Sequence, residues 1–248
     1  MEMRGTNALV TGGSRGIGAA IALSLAHRGV NVAVNYRADR QGADAVAAEI
    51  QKAGPHAVIV RADVAQSEDV EHMVATVLRE FSSIDILVNN AGVGEVPMPI
   101  EKISEAQWDR VIAVNLKGVF NCCRTVVPLM RDRRDGKIIN VSSIAAMRGT
   151  SGLSYVASKA GVIGLTMCLA REMAPFGVTV NCVAPGLTDT EMLKPYLTDE
   201  QRNNIEREVP MGWLGRPEDV AQAVMFLLDA EYVTGETINV SGGRHIAM

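Results

Sequence analysis

The fold class is decided by residues 8–18, Ala8-Leu9-Val10-Thr11-Gly12-Gly13-Ser14-Arg15-Gly16-Ile17-Gly18. A short apolar run, a glycine-rich turn and the apolar segment 17–27 predict a strand, a tight connection and a helix. Glycines without a Cβ atom let the backbone approach a bound group, and the helix N-terminus would face an anion. The spacing G-x-x-x-G-x-G differs from the G-x-G-x-x-G fingerprint of dinucleotide sites, so the turn alone leaves an ordinary strand-helix connection open.

Short apolar runs and helical stretches alternate along the rest of the chain. Further strands are predicted at 32–34, 58–60, 86–88, 138–141, 178–181 and 237–240, and helices at 43–52, about 105–131 and about 155–173. Apolar runs without polar alternation indicate strands that are covered on both faces. Residues 1–248 are therefore predicted to form one α/β domain, a Rossmann-like doubly wound parallel sheet of about seven strands with helices on both faces.

Composition argues against several classes of protein. The 248 residues carry a net charge of −4, whereas nucleic-acid binding leaves a basic footprint, so no nucleic-acid partner is expected. No stretch reaches the ~18 consecutive apolar residues that span a bilayer, and the N-terminus lacks the apolar region of a signal peptide. We therefore expect a cytoplasmic protein without a membrane partner. The four cysteines are expected to be reduced core thiols, and the four scattered histidines predict no metal site.

Tyr155 and Lys159 are four residues apart and share one face of a predicted helix, with their Cβ atoms about 5–6 Å apart. A free tyrosine titrates near pH ~10, and a neighbouring ammonium group lowers its pKa by favouring the phenolate. The pair is thus suited to proton transfer, although the same two residues also fit the start of an amphipathic helix.

The end of the second predicted strand indicates which dinucleotide would bind. An acidic residue about 20 positions beyond the glycine turn binds a ribose 2′-hydroxyl, whereas an arginine accommodates a 2′-phosphate. Arg37 follows this strand and Arg15 lies in the turn, so we expect NADP(H) rather than NAD(H). Asp63 could accept a hydrogen bond from an adenine amine, and Asn90 and Gly92 would pass close to the adenosine ribose. All three are also common turn residues.

Taken together, these motifs resemble the short-chain dehydrogenase/reductase family over nearly the whole chain. The resemblance rests on residues 11–18, Asp63, 89–92, Asn115, Ser142, Tyr155, Lys159, Pro185 and Gly186, which occur in the family's order. It implies an NADP-dependent enzyme that interconverts a carbonyl and a hydroxyl group. In the implied reaction, hydride reaches the carbonyl carbon while Tyr155 gives a proton to the oxygen.

The resemblance also implies roles for single residues. Ser142 would hydrogen-bond the reacting oxygen, Lys159 would lower the pKa of Tyr155 and hold the nicotinamide ribose, and Asn115 would support a proton-supplying water. Ser142 and Asn115 could equally be a turn cap and an interior helix polar group. The residues implied to bind the cofactor are Gly12, Ser14, Arg15, Gly16, Ile17, Gly18, Arg37, Asp63, Val64, Asn90, Gly92, Tyr155, Lys159, Pro185, Gly186 and Thr188.

Within the family, the chain is most similar to the 3-oxoacyl-[acyl-carrier-protein] reductases of fatty-acid synthesis. The similarity lies in residues 169–172, 184–186 and 235–243. It implies reduction of a 3-oxoacyl group to a 3-hydroxyacyl group. Two alternatives stay open: a reductase of another ketone, sugar or steroid, and a non-catalytic NADP-binding interaction module.

The resemblance implies three further features. An acyl carrier protein could dock on Arg131 and Arg171, although a solvated basic helix end explains these residues as well. A substrate lid is expected at 188–211. A homotetramer is also expected, and the apolar surfaces of the two long helices permit it without requiring it.

Overall fold

A computed structural model of the chain describes residues 3–191, 193 and 208–246. Within them, one parallel sheet has the spatial order β3-β2-β1-β4-β5-β6-β7. Its strands are β1 Asn7–Val10, β2 Asn31–Tyr36, β3 Ala57–Arg61, β4 Ile86–Asn89, β5 Gly136–Val141, β6 Val178–Pro185 and β7 Thr237–Val240. The predicted doubly wound α/β class is confirmed. Most of the predicted lid falls on residues 192 and 194–207, which lie outside the described residues.

Helices cover both faces of this sheet. They are α1 Gly16–His27, α2 Arg40–Lys52, α3 Ser67–Phe81, α4 Glu105–Ile112, α5 Gly118–Arg133, α6 Ala145–Arg148, α7 Leu153–Met173 and α8 Pro217–Asp229. Helices α1, α2 and α8 share one apolar core with the sheet, and α3, α5 and α7 share the other. Alternate strand residues enter opposite cores, as Leu9 and Val10 show. Apolar residues at consecutive strand positions are therefore buried by two layers of helices.

The predicted long helix 105–131 is interrupted. Ser104 begins α4 with a capping box that it forms with Gln107. The segment Ala113–Lys117 then forms one turn of π-helix, in which the Gly118 N–H donates to the Ala113 carbonyl, before α5 continues. Such π-turns are frequent at functional sites. Here the turn carries Asn115.

Helix α7 with its following 3₁₀ turn, Leu153–Phe176, is long and apolar enough to cross a membrane by length and composition, with a mean hydropathy of 1.4. Core helices pass the same test, and α7 packs on the sheet side through the buried residues Val162, Ala170 and Met173. Length and composition alone therefore do not place the chain in a membrane.

The cysteines only partly match the expectation of core thiols. Cys122, Cys123 and Cys182 are buried, whereas Cys168 is exposed on α7. The expectation was wrong for Cys168 because of the helical period. A continuous apolar stretch covers the whole circumference of a helix, and Cys168 lies on the part that faces away from the sheet.

The order of the strands fixes where a ligand can bind. Strands β1 and β4 are neighbours in the sheet, although two strands and three helices separate them in sequence. The chain leaves β1 toward one face and β4 toward the other, so a crevice opens outside the carboxyl ends of these two strands. The glycine-rich turn follows β1, and the loop beginning at Asn90 follows β4.

Candidate active site

The glycine-rich turn is locked to the loop that follows β4. The Thr11 hydroxyl accepts hydrogen bonds from the N–H groups of Asn90 and Ala91, at 2.9 and 3.1 Å. The Asn90 amide donates in return to the carbonyls of Thr11 and Gly12, at 2.9 and 3.0 Å. Asn90 is therefore a structural link between two loops of the site.

Close packing explains why glycine occupies position 18. A Cβ atom there would collide with the Gly12 carbonyl oxygen and come within 2.5 Å of the Asn90 amide nitrogen. Gly12 and Gly16 also have positive φ angles of 62° and 57°, which favour glycine. Asn35, which sequence reasoning did not single out, is buried beneath the turn and accepts the Gly12 N–H at 3.1 Å.

The N-terminus of α1 suits a pyrophosphate. The Arg15 side chain at the N-cap makes no capping hydrogen bond, and the first turn contains no acidic residue. The orphan N–H groups of this turn therefore face neither a side-chain cap nor a repelling carboxylate. Arg15 is exposed, and Ser14 and Ile17 are partly buried beside it. This arrangement fits the phosphates of a dinucleotide.

A cleft of about 890 Å³ lies at the carboxyl ends of β2 and β3, and we name it the arginine cleft. Its lining residues are Tyr36, Arg37, Ala38, Arg40, Arg61, Asp63 and Asp69. Arg37 faces Asp63 across 3.6 Å, and the Arg61 side chain donates to the Arg37 carbonyl at 3.3 Å. Arg40 and Arg61 were not predicted, because phosphate contacts were sought only in the glycine-rich turn and directly after β2. A cleft with three guanidinium groups fits a phosphate.

Asp63 has partners on both carboxylate oxygens. One oxygen faces Arg37, and the other accepts the Ala65 N–H at 3.0 Å. The adjacent Val64 is buried, and its carbonyl accepts from the Asn121 amide at 2.9 Å. The segment after β3 is thus held firmly against α5.

Asn115 is completely buried and joins three elements. Its side-chain oxygen accepts the Val93 N–H at 2.8 Å, and its amide donates to the Val93 carbonyl and the Ser158 hydroxyl, at 3.0 and 3.2 Å. Both amide hydrogens are therefore used within the protein. Next to this contact, a Cβ atom on Gly92 would lie 3.3 Å from the Asn115 oxygen and 3.6 Å from the Lys159 ammonium.

Tyr155 and Lys159 lie in the first two turns of α7. The Lys159 ammonium donates to the Val141 carbonyl at 2.8 Å and lies 5.9 Å from the centroid of the Tyr155 ring. Burial lowers the pKa of Lys159 to about 8, and the neighbouring Cys182 opposes this shift. Burial also raises the pKa of Tyr155, whereas a hydrogen bond from Ser143 opposes that rise. The pKa of Tyr155 therefore lies above its ordinary value, because the loss of solvent outweighs the hydrogen bond from Ser143.

The two adjacent serines after β5 have different surroundings. Ser142 is 3% exposed, and its hydroxyl donates to the Lys159 carbonyl at 2.8 Å. Ser143 is partly exposed, its hydroxyl accepts the Ala145 N–H at 3.2 Å, and it is the serine that lies near enough to the Tyr155 phenol to oppose the rise of its pKa. The structure thus brings Ser143 to the phenol and uses Ser142 to hold α7 against the sheet.

The remaining predicted cofactor residues follow β6. The Gly186 N–H donates to the Val240 carbonyl at 2.8 Å, and a Cβ atom at Gly186 would lie 2.9 Å from the Cα of Ser241. The Pro185 carbonyl accepts the Ile144 N–H, which ties this strand end to the serine segment. Thr188 is buried and donates to the Gly186 carbonyl at 3.2 Å.

Comparison with known proteins agrees with this geometry. A family model described as "Enoyl-(Acyl carrier protein) reductase" matches residues 12–245. The chain is 45% identical over 243 residues to 3-oxoacyl-[acyl-carrier-protein] reductase FabG of Staphylococcus epidermidis, covering 97% of this chain and 99% of the relative. It is 43% identical over 247 residues to 3beta-hydroxysteroid dehydrogenase 1 of Eggerthella lenta, covering 98% and 94%.

Among solved structures, levodione reductase superposes with a TM-score of 0.93 at 30% identity, covering 97% of this chain and 98% of that one. These matches extend across the sheet, the glycine-rich turn and α7. The chain is therefore an oxidoreductase with a nicotinamide cofactor, and it belongs to the short-chain dehydrogenase/reductase family.

Proposed function

We propose that this chain reduces a carbonyl group with NADPH and that its substrate is a 3-oxoacyl thioester on an acyl carrier protein. The observation that carries the reaction is the Tyr155 phenol, which is partly buried, lies beside Ser143 and the Lys159 ammonium, and has a raised pKa. A raised pKa keeps the phenol protonated at neutral pH. Tyr155 is therefore suited to give a proton to a carbonyl oxygen.

The cofactor supplies the hydride, and the protein supplies orientation, hydrogen bonds and a proton. Tyr155 donates its proton to the substrate oxygen as negative charge develops there. The Ser143 hydroxyl, rather than that of Ser142, donates a hydrogen bond to the same oxygen. Such a preplaced donor stabilises transition-state charge by about 2.7–4 kcal/mol in oxyanion sites.

Lys159 assists through its charge. Its ammonium is anchored on the Val141 carbonyl, and its remaining hydrogens are available to the nicotinamide ribose and to the phenolate that proton transfer leaves on Tyr155. Asn115 lies beside Lys159, and its side chain holds the loop after β4 against α7. Because these contacts occupy the side chain, a water would be bound by the main chain of Asn115.

The arginine cleft supports NADP(H) over NAD(H). Arg37, Arg40 and Arg61 all line this cleft, Arg40 is also paired with Asp44 at 3.5 Å, and the carboxylates of Asp63 and Asp69 lie in the same cleft. Asp63 faces Arg37, so part of the guanidinium charge is already paired, and a phosphate would compete for it. Because arginine forms bidentate bonds to phosphate, we assign the 2′-phosphate to Arg37 and Arg61.

The substrate class rests on the relatives together with the surface around Tyr155. Val96, Met147 and Leu153 are 51, 40 and 40% exposed, and all belong to segments next to the catalytic residues. Exposed apolar side chains in such a position suit an acyl chain. They also suit a steroid, and the hydroxysteroid relative is nearly as similar as the acyl reductase, so a 3-ketosteroid is the second candidate.

A carrier docked on Arg131 and Arg171 would be far from Tyr155. Both are exposed in the last turns of their helices. Arg171 lies 16 positions beyond Tyr155 on α7, which is about 24 Å at 1.5 Å per residue. A carrier bound there must span that length or serve a second copy of the chain. The exposed Phe120 and Met167 on α5 and α7 support the proposed homotetramer.

The serine assignment predicts opposite outcomes for two adjacent variants. Ser143→Ala should lower kcat about 10²–10³-fold, because it removes a donor to the reacting oxygen. Ser142→Ala should leave kcat within a few-fold and reduce the free energy of unfolding by about 1–3 kcal/mol, because the buried Lys159 carbonyl loses a donor. Stopped-flow turnover and urea denaturation measure the two effects, with Tyr155→Phe as the inactive reference. A larger kcat loss in Ser142→Ala would reverse the assignment.

The pKa of Lys159 predicts the pH dependence of reduction. The group is charged below a pKa of about 8 and neutral above it. Because the ammonium stabilises the phenolate that proton transfer leaves on Tyr155, kcat for carbonyl reduction should fall with a slope of one proton as pH rises through about 8. The measurement is kcat at saturating NADPH from pH 6.5 to 10. A flat profile across this range would contradict the role of Lys159.

Cofactor preference should change when the charge of the arginine cleft is reversed. Arg37→Asp should lower kcat/KM for NADPH at least tenfold more than for NADH, because a carboxylate repels the 2′-phosphate and accepts from a 2′-hydroxyl. Arg79→Asp, an equal charge change at an exposed position on α3, is the control. Steady-state kinetics with both cofactors decide the matter, and an unchanged NADPH/NADH ratio in Arg37→Asp would contradict the assignment.

The substrate is tested with NADPH oxidation on three compounds: a 3-oxoacyl group on acyl carrier protein, the same group on a small thiol, and a 3-ketosteroid. Arg131→Glu combined with Arg171→Glu should lower kcat/KM at least tenfold on the carrier-linked thioester only. Arg79→Glu combined with Lys52→Glu, an equal change of net charge at two exposed positions, serves as the control. Equal losses on both thioesters would argue against docking, and turnover of the steroid alone would establish the second candidate.

A further inference from the structure

Helix α7 begins without a cap of its own. Its N-cap is Gly152, which has no side chain, whereas a serine, threonine, aspartate or asparagine at that position usually accepts an N–H of the first turn. The N–H groups at the start of the helix have no acceptor within it. One of these groups belongs to Tyr155, the residue on which the proposed proton transfer depends.

Glu95 supplies the missing acceptor from a different loop. One carboxylate oxygen accepts the Tyr155 N–H at 2.9 Å, and the other accepts the hydroxyl of the buried Ser154 at 2.8 Å. Gly152 leaves the room for this contact, because the nearest atoms that a Cβ atom there would meet all belong to the Glu95 side chain. The missing cap and the incoming carboxylate are therefore two parts of one arrangement.

We propose that Glu95 is a positioning residue that caps α7 and fixes the backbone of Tyr155. Both hydrogen bonds involve an ionised acceptor, which makes them stronger than neutral ones. The carboxylate also lies at the positive end of the helix dipole. This proposal rests on the proposed function, since the position of Tyr155 matters only if its phenol transfers a proton.

The loop after β4, which carries Glu95, is anchored at two more places, so the cap also links Tyr155 to the cofactor site. Asn90 binds the glycine-rich turn, Val93 is held by Asn115, and Glu95 holds Tyr155. One short segment therefore connects the cofactor turn to the proton donor. Misplacement of a catalytic group by 1 Å can cost about 10²-fold in rate, so loss of the last anchor should be visible in kcat.

The experiment compares Glu95→Ala, Glu95→Gln and the double variant Glu95→Ala with Gly152→Ser. We expect Glu95→Ala to lower kcat about 10–100-fold without changing the Kd for NADPH. A glutamine can still accept from the Tyr155 N–H and donate to the Ser154 hydroxyl, so it should retain most of the activity. Glu101→Ala removes an exposed carboxylate from the same connection and is the control.

The double variant replaces the distant cap by a local one. In Gly152→Ser alone the new side chain collides with Glu95 and should lower kcat, whereas removal of Glu95 makes room for a serine hydroxyl that accepts the Tyr155 N–H. The double variant should therefore be more active than either single variant. If Glu95→Ala lowered kcat only by destabilising the protein, adding Gly152→Ser would not restore kcat.

Amide hydrogen exchange at Tyr155 supplies a readout that needs no substrate. Exchange should accelerate in Glu95→Ala and slow again in the double variant. Unchanged kcat and exchange in Glu95→Ala, or a double variant no better than Glu95→Ala, would overturn the proposal. If wild type consumed no NADPH with any carbonyl compound, the proposed function would fail, whereas the exchange data would still decide whether Glu95 caps α7.

Discussion

The active-site end of the sheet depends on the interlock between the glycine-rich turn and the loop after β4. Thr11 and Asn90 exchange four hydrogen bonds with each other's segments, and Gly18 packs so closely over Gly12 that no other residue fits. Because β1 and β4 are neighbours at the switch point of the sheet, this interlock sets the width of the crevice between them. A site held in this way is preorganised, so little ordering is left for ligand binding.

Local patterns predicted the fold well because strand burial leaves a local signal. The consecutive apolar residues of β4 and β5 require cover on both faces, as the helices on the two sides of a doubly wound sheet provide. The π-turn that interrupts the predicted helix 105–131 leaves no such signal. The backbone stays helical on both sides of it, at Ile112 and Gly118, so the sequence shows no helix end there. What accompanies the π-turn is a contact from Asn115 to Val93, a residue 22 positions away in sequence, and no local periodicity reports a contact of that kind.

At the serines, the residue that we propose to contact the reacting oxygen is one position from the predicted one, and the contact of Glu95 was not predicted at all. Ser142 and Ser143 are the same residue type at the end of one strand, and consecutive strand residues point to opposite faces. Motif spacing cannot distinguish them, whereas the contacts to Lys159 and Tyr155 do. Glu95 lies 60 positions from Tyr155, and a carboxylate in a loop is ordinarily solvated. Its one sequence-level indication is Gly152, a helix start without a capping side chain.

Burial changes the protonation behaviour of Tyr155 and Lys159 from what their charges alone would give. Sequence reasoning considered only the Coulomb effect of Lys159 on Tyr155 and therefore expected a lowered phenol pKa. In the folded protein Lys159 is buried and Tyr155 is partly buried, and the loss of solvent favours the neutral form of each: the pKa of Tyr155 rises and that of Lys159 falls to about 8. A protonated phenol beside a lysine that is still mostly charged at pH 7 can give up its proton and leave a stabilised phenolate. This arrangement of charge and burial fits the proposed role of Tyr155 as the proton donor to a carbonyl oxygen, with Lys159 stabilising the phenolate that remains.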